Sequence, residues 1–284
     1  MFKTKGIFNF KNIFLVILIL AIILTLVINP LDRYKRWRHG VKSGVKLEGL
    51  LVEGLLEDEL MDIIERAAPS IEVPPKNAFV DHKNNELVPE IIGKKIHASM
   101  TAEKLLNAKP DSWISFKIID IDPLITVSLY ESIVHEIGYY HTYIGGGGGR
   151  ADNIILGTSL LNNYLLPPGE VFSFNKTLGP ITWERGFRFA PIISGGAIIP
   201  GIGGGLCQVA STLYNAVLNA DLEVVERTPH SRPVGYVPRG KDATISTYID
   251  FKFRNDTEDF ILLRTSNAGH RINISILSNR NTDP

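Results

Sequence analysis

Cys207 is the only cysteine among 284 residues. Gly203, Gly204 and Gly205 lead directly into it. Behind it Leu206, Val209, Ala210, Leu213, Val217 and Ala220 recur at helical spacing, and Gln208, Ser211, Asn215 and Asn219 take the other face. The thiol therefore falls in the first turn of an amphipathic helix, beside unpaired N–H groups and the positive end of the macrodipole. That position predicts a thiolate, which is the nucleophilic form. The glycines allow backbone N–H groups to approach a reacting carbonyl. The chemistry this offers is covalent attack on a carbonyl. The competing reading is a small buried hydrophobe at a helix start, a common fate of free cysteines.

Other residue types that carry chemistry fall away on spacing. His135 and His141 lie six apart, which is not the His-Glu-x-x-His interval of a zinc helix, and no third ligand is evident nearby. Neither a metal nor another cofactor is expected. The glycine run Gly145 to Gly149 is followed by Arg150, not by the Gly-Lys-Ser/Thr of a phosphate loop, so it reads as a flexible bend. Thirty basic and thirty acidic residues balance, which gives no reason to expect nucleic acid.

The cysteine gains meaning from the other end of the chain. Residues 13–28 are almost wholly apolar, a run of about 16 residues against the roughly 17–25 of a membrane span. Lys3, Lys5 and Lys11 precede it and Asn29-Pro30 follows, without a small-x-small cleavage site. Residues 1–29 thus read as an uncleaved signal-anchor, and 30–44 as a basic juxtamembrane linker. Arg33, Lys35, Arg36 and Arg38 balance the lysines before the span, so charge alone does not orient it. Placing the body on the extracytoplasmic side of the cell membrane is an expectation tied to function. A lone thiol in an exported protein then points to intermolecular pairing or to reactivity.

The elements that must position the thiol are α+β. Residues 45–123 form a small α+β module: a strand over 45–51, an amphipathic helix over 56–68 stopped by Pro69 and then Pro74-Pro75, and a short helix over 102–108 capped by Thr101. From residue 124 the chain reads as mostly antiparallel β, with a few packed helices including the one that starts at the cysteine. Strands are expected over 124–130 and 133–144, a helix over 153–164, and a loop over 175–187. A hairpin is expected around Gly195-Gly196, a strictly alternating strand over 244–253, and a final pair over 261–265 and 272–277.

Several stretches in order carry a resemblance. Pro168-Gly-Glu-Val-Phe-Ser-Phe-Asn175, Gly203-Gly-Gly-Leu-Cys-Gln-Val-Ala-Ser-Thr-Leu-Tyr-Asn215, Glu226-Arg-Thr-Pro-His-Ser-Arg-Pro-Val-Gly-Tyr-Val237 and Gly240-Lys-Asp-Ala-Thr244 resemble the VanW family. The likeness runs from about residue 130 to 278. The uniform glycine run before Arg150-Ala-Asp-Asn153 departs from it. Pro75-Lys-Asn-Ala-Phe-Val80 and Val88-Pro-Glu-Ile-Ile-Gly93 resemble, more weakly, the peptidoglycan-binding module often found ahead of VanW domains.

The resemblance implies a cell-wall role linked to glycopeptide resistance. It also implies L,D-transpeptidation through Cys207, which makes 3-3 cross-links between peptidoglycan stem peptides. Such chemistry needs a base, a group that orients it and oxyanion donors. His230 is the candidate base, since it alone of the seven histidines lies in a family-like stretch. Asp242 is the candidate orienting acid, or else an ordinary turn aspartate. Arg232 is placed to hold a stem carboxylate. The amides of Gly205, Cys207 and Gln208 are candidate oxyanion donors, and Gly204, Ser211 and Tyr236 complete the expected substrate-binding set. Two alternatives stay open: a cysteine endopeptidase of wall peptides, in which water resolves the thioester, and a non-catalytic wall-binding accessory protein.

Overall fold

The computed structural model describes residues 29–81, 84, 86–194 and 197–279. The apolar run expected to anchor the chain, and the Gly195-Gly196 tip, lie outside the described residues. Among the described residues no helix is long and apolar enough to cross a membrane. The chain divides into two compact units. One holds the described residues up to Asn77 together with Glu90–Leu124; the other holds Ala78–Pro89 and the residues from Ile125 onward.

The first unit is built on helix α1 (Asn29–His39), strands β1 (Lys46–Leu47) and β2 (Leu50–Leu51), and helix α2 (Glu57–Ile71). The stretch expected as one strand is thus a tight antiparallel pair, broken by Glu48 and Gly49 at positive φ. Leu60 and Ile64 of α2 are buried with Val45, Leu47, Ala102 and Leu105 in one apolar core. At the start of α2 the Leu56 amide donates to the Glu59 carboxylate (2.9 Å), satisfying one orphan N–H. The same carboxylate takes a two-pronged bond from Arg36 at 2.7 and 2.8 Å. The Arg36 guanidinium, helped by the Leu56 amide, holds the Glu59 carboxyl down at about 2. Pro69 does not stop α2, which runs to Ile71. The cap of α3 (Ala98–Leu106) is His97, whose ring accepts from the Met100 amide, and Thr101 is buried one turn in. Strands β5 (Gly93–Ile96) and β7 (Ile118–Ile121) pair antiparallel, and β6 (Trp113–Ile114) runs parallel to β1.

The second unit carries the hairpin β3 (Phe79–Asp81) and β4 (Glu86–Val88), and is centred on an antiparallel sheet of β8 (His135–Tyr143), β16 (Arg271–Ser278), β15 (Ile261–Ala268) and β9 (Tyr164–Leu166), in that order. Helix α7 (Leu206–Asn219) lies across β8 and β16, and α5 (Gly149–Leu161) packs against β15 and α7. Close approach of α7 to β8 depends on Gly138, where an added Cβ would strike the Ala216 carbonyl. A three-stranded sheet of β10 (Val171–Ser173), β14 (Lys252–Arg254) and β13 (Val224–Glu226) closes the core with Phe172 stacked on Phe253, ring centroids 4.9 Å apart. Strands β11 (Phe189–Ser194) and β12 (Ala197–Ile202) form the expected hairpin, longer than its apolar residues suggest.

Other sequence expectations change in the second unit. Residues 127–132 form a short helix, α4 (Val127–Ser132), whose cap Thr126 accepts from the Leu129 amide. The loop after β10 opens with a helical turn, α6 (Phe174–Leu178), capped by Ser173. The alternating stretch 244–253 is a strand only at its end, β14; ahead of it Thr244 bonds the Thr228 carbonyl, Ile245 meets the cysteine helix and the Ser246 amide turns back to the Ile249 carbonyl.

Candidate active site

Cys207 occupies the first turn of α7 behind Gly205, which caps the helix at φ +107°. That left-handed conformation favours glycine. Gly204 is buried so tightly that a Cβ would lie 2.5 Å from the Pro191 carbonyl oxygen. Asn153, fully buried on α5, donates to the carbonyls of Gly204 (3.0 Å) and Arg188 (2.9 Å), and accepts from the Arg188 amide (2.7 Å). One side chain thereby locks the glycine turn to the strand before it.

The polar stripe of α7 is matched by an extended segment, residues 241–245. Asn215 Nδ2 donates to the Lys241 carbonyl (2.6 Å). Ser211 Oγ accepts from the Ala243 amide (2.9 Å), and Cys207 Sγ donates to the Ile245 carbonyl (3.7 Å). The pairing follows from geometry. Four helical residues rise about 6 Å and two extended residues about 6.6 Å, so an i, i+4, i+8 stripe keeps step with alternate residues of a strand.

The even-numbered residues of that segment meet other partners. The Thr244 amide donates to the Thr228 carbonyl (2.8 Å). Asp242 accepts from the His230 amide and from His230 Nδ1, both at 2.6 Å, and from Arg227 Nη2 at 3.1 Å. The His230 side chain is 4% exposed and that of Asp242 10%. Burial opposes the Asp242 charge, yet the His230 amide and ring outweigh it and hold the carboxyl below its ordinary value. An ionised Asp242 requires the proton on Nδ1, which leaves Nε2 as the nitrogen able to accept one. Arg227 also donates to the Asp242 carbonyl (2.6 Å) and lies over the Tyr214 ring of α7 at 5.1 Å.

The sulfur itself differs from the sequence expectation. Burial pushes the Cys207 thiol up and the Asp242 charge adds to the rise; backbone hydrogen bonding from Ile245 and from the cysteine's own backbone opposes it. The thiol is therefore protonated at rest, and desolvation outweighs the helix dipole. Tyr236 shares this environment. Burial first, and Cys207 second, raise its phenol, and its hydroxyl bonds to Ser211. It stays a neutral O–H donor beside the sulfur.

Cys207, Ser211, Tyr236 and Asp242 thus share one neighbourhood, and His230 joins it through Asp242. Gln208 is fully buried, and both ends of its side chain are committed: it accepts from Arg150 (2.6 Å) and donates to Thr142 Oγ1 and the Tyr143 carbonyl (2.9 Å each). Its backbone amide is bonded to the Gly205 carbonyl at 2.9 Å, so it is already used as a donor. Arg232 lies exposed on the loop beyond His230. Sequence reasoning missed Arg150, Asn153 and Arg227. The first two were hidden by starting the helix at residue 153, whereas it begins at Gly149. Arg227 stood in plain view, three residues before His230.

The comparisons agree on one family. The model described as VanW like protein matches residues 149–277. Uncharacterized protein YoaR of Bacillus subtilis is 37% identical over 211 residues, covering 72% of this chain and 69% of that protein. Vancomycin B-type resistance protein VanW of Enterococcus faecalis is 32% identical over 112 residues, covering 37% of this chain and 41% of that protein. No solved structure matches. The matched region contains the glycine turn, the cysteine helix and the His230–Asp242 pair, and the chain belongs to the VanW family.

Proposed function

We propose that this protein is a cysteine acyltransferase of wall peptides, an L,D-transpeptidase held at the membrane by its N-terminal segment with its body outside. The observation that carries the reading is the His230–Asp242 pair, tied to the cysteine helix through residues 241–245. A relative named for vancomycin B-type resistance supports a wall-peptide substrate.

In this mechanism the Cys207 proton moves to His230 Nε2 as the sulfur attacks the carbonyl carbon between the third and fourth stem residues. A protonated resting thiol calls for such general-base assistance rather than a preformed ion pair. Negative charge on the former carbonyl oxygen is met by the Tyr236 hydroxyl and the amides of the glycine turn. Collapse breaks the C–N bond. The leaving amine of D-alanine takes the proton from His230, and a thioester remains. An acceptor amine attacks the thioester, gives its surplus proton to His230 and restores the thiol through that same proton.

Incubating the protein with disaccharide-tetrapeptide and reading the products by mass spectrometry tests this. Wild type should give 3-3 dimers and Cys207→Ala none. Dimers persisting in the variant remove Cys207 from the mechanism, and cleaved monomers alone indicate an endopeptidase. The raised thiol favours one further reading, a non-catalytic wall-binding accessory protein, for which wild type and variant give no product.

A further inference from the structure

Arg150 is a cation beside the cysteine turn that the mechanism leaves unused. Its Nη1 donates to the Gly145 carbonyl (2.9 Å) and its Nη2 to Gln208 Oε1 (2.6 Å), both neutral acceptors. Among the described residues it meets no carboxylate, unlike Arg227, which meets Asp242. Burial lowers its hold on its proton, and the one ionisable group felt there is Tyr236. A half-buried guanidinium without a counter-ion has lost hydration that neutral oxygens replace only in part.

The position is as informative as the charge. A Cβ built on Gly205 would lie 3.1 Å from Arg150 Cγ, so the side chain passes over the turn that presents the cysteine. Tyr236 feels both Arg150 and Cys207, so the cation and the thiol share one electrostatic neighbourhood. Toward solvent, Gly145 to Gly148 are exposed, and a Cβ on any of them would touch nothing within 4 Å. The glycine run leaves the approach to Arg150 clear of side chains.

We infer that Arg150 is the carboxylate anchor of the cysteine site, so that the acyl donor is a peptide bearing a free carboxylate on the residue that leaves. The inference rests on the acyl-transfer reading of Cys207. The planar fork suits a carboxylate, which would take over from the Gly145 carbonyl while Gln208 holds the other arm. Arg232, exposed on its loop, is then not needed for this contact.

Binding measured without turnover separates the anchor from the chemistry. The probes are a stem tetrapeptide ending in D-alanine as the free acid and the same peptide as its C-terminal amide, titrated calorimetrically into Cys207→Ala protein. The acid should bind roughly 10-fold tighter than the amide, the effect of one charge-assisted contact, and Arg150→Met added to Cys207→Ala should bring the two within about two-fold. Arg150→Lys, which keeps a cation against Gln208, should give an intermediate ratio and serves if Arg150→Met fails to fold. Equal binding of acid and amide by Cys207→Ala, or a ratio unmoved by both Arg150 variants, overturns the anchor. Should wild type form no product while the ratio responds to Arg150, the acyl-transfer reading fails and the anchor stands. Product formed with an unresponsive ratio sinks the anchor alone.

Discussion

Replacing Asp242 by asparagine tests the link between fold and chemistry at one atom. The carboxylate accepts two hydrogen bonds from His230 and one from Arg227, and its side chain is 10% exposed, so solvent screens it little. Bonds to an ionised group contribute about 1.5–3 kcal/mol against about 0.5–1.5 for neutral ones, so Asp242→Asn should cost roughly 2–3 kcal/mol at pH 7. For a chain of this size that is a fall of roughly 5–10 °C in Tm. The pH dependence fixes the cause. The folded-state carboxyl sits below its ordinary value, so its contribution is complete above about pH 4 and is lost as pH falls through the folded value. Urea titrations of wild type and variant should therefore differ most near neutrality and converge on acidification. Turnover should fall roughly 10²–10⁴-fold, because the ring loses the partner that fixes its tautomer. A stability gap that stays constant from neutral to strongly acidic pH, or undiminished turnover, would refute the role given to the Asp242 charge.

Alkylation of Cys207 by iodoacetamide should have a pH midpoint above the roughly 8.5 of a free thiol. Asp242→Asn should move that midpoint down even as activity is lost, since the carboxylate charge helps to raise the thiol; a wild-type midpoint below neutrality contradicts the burial argument. Gly205→Ala should destabilise by about 2–3 kcal/mol, because it imposes a Cβ at φ +107° and 3.0 Å from the Arg150 carbonyl oxygen. Gly147→Ala, with nothing within 4 Å, should stay within about 0.5 kcal/mol of wild type, and matching melting temperatures for the two variants would remove the strain account.

Legibility from sequence followed the range of the interactions. The cysteine helix was readable to within a residue or two, because its apolar period is local and its cap is a glycine turn. The sheet of β15 and β16 was readable for the same reason: burial along β16 alternates strictly, which a period of two records directly. The strand expected over 124–130 failed because its apolar residues carry no period that excludes a helix, and Thr126 supplies the cap that decides the matter. Pro69 sits inside α2 where a stop was expected, a reminder that a proline bias yields to the helix around it.

The site was legible as a set of residue types and illegible as an arrangement. Alternation over 244–253 suggested a strand with Asp242 just ahead of it, and a strand partner would have turned Thr244 into a ladder residue. Instead the partner of residues 241–245 is the stripe Cys207, Ser211 and Asn215. No periodicity in either segment announces that match, since it depends on two different rises per residue falling into step. Its consequence is chemical. The odd residues are fixed to the cysteine helix and the even residues face Thr228 and His230, so any displacement of that helix displaces the partner of His230 with it. In the acyl transfer proposed above, a burial-raised thiol would tolerate little error in the placement of its base, because the proton must leave as the sulfur attacks. Residues 241–245 couple both groups to one short segment of chain.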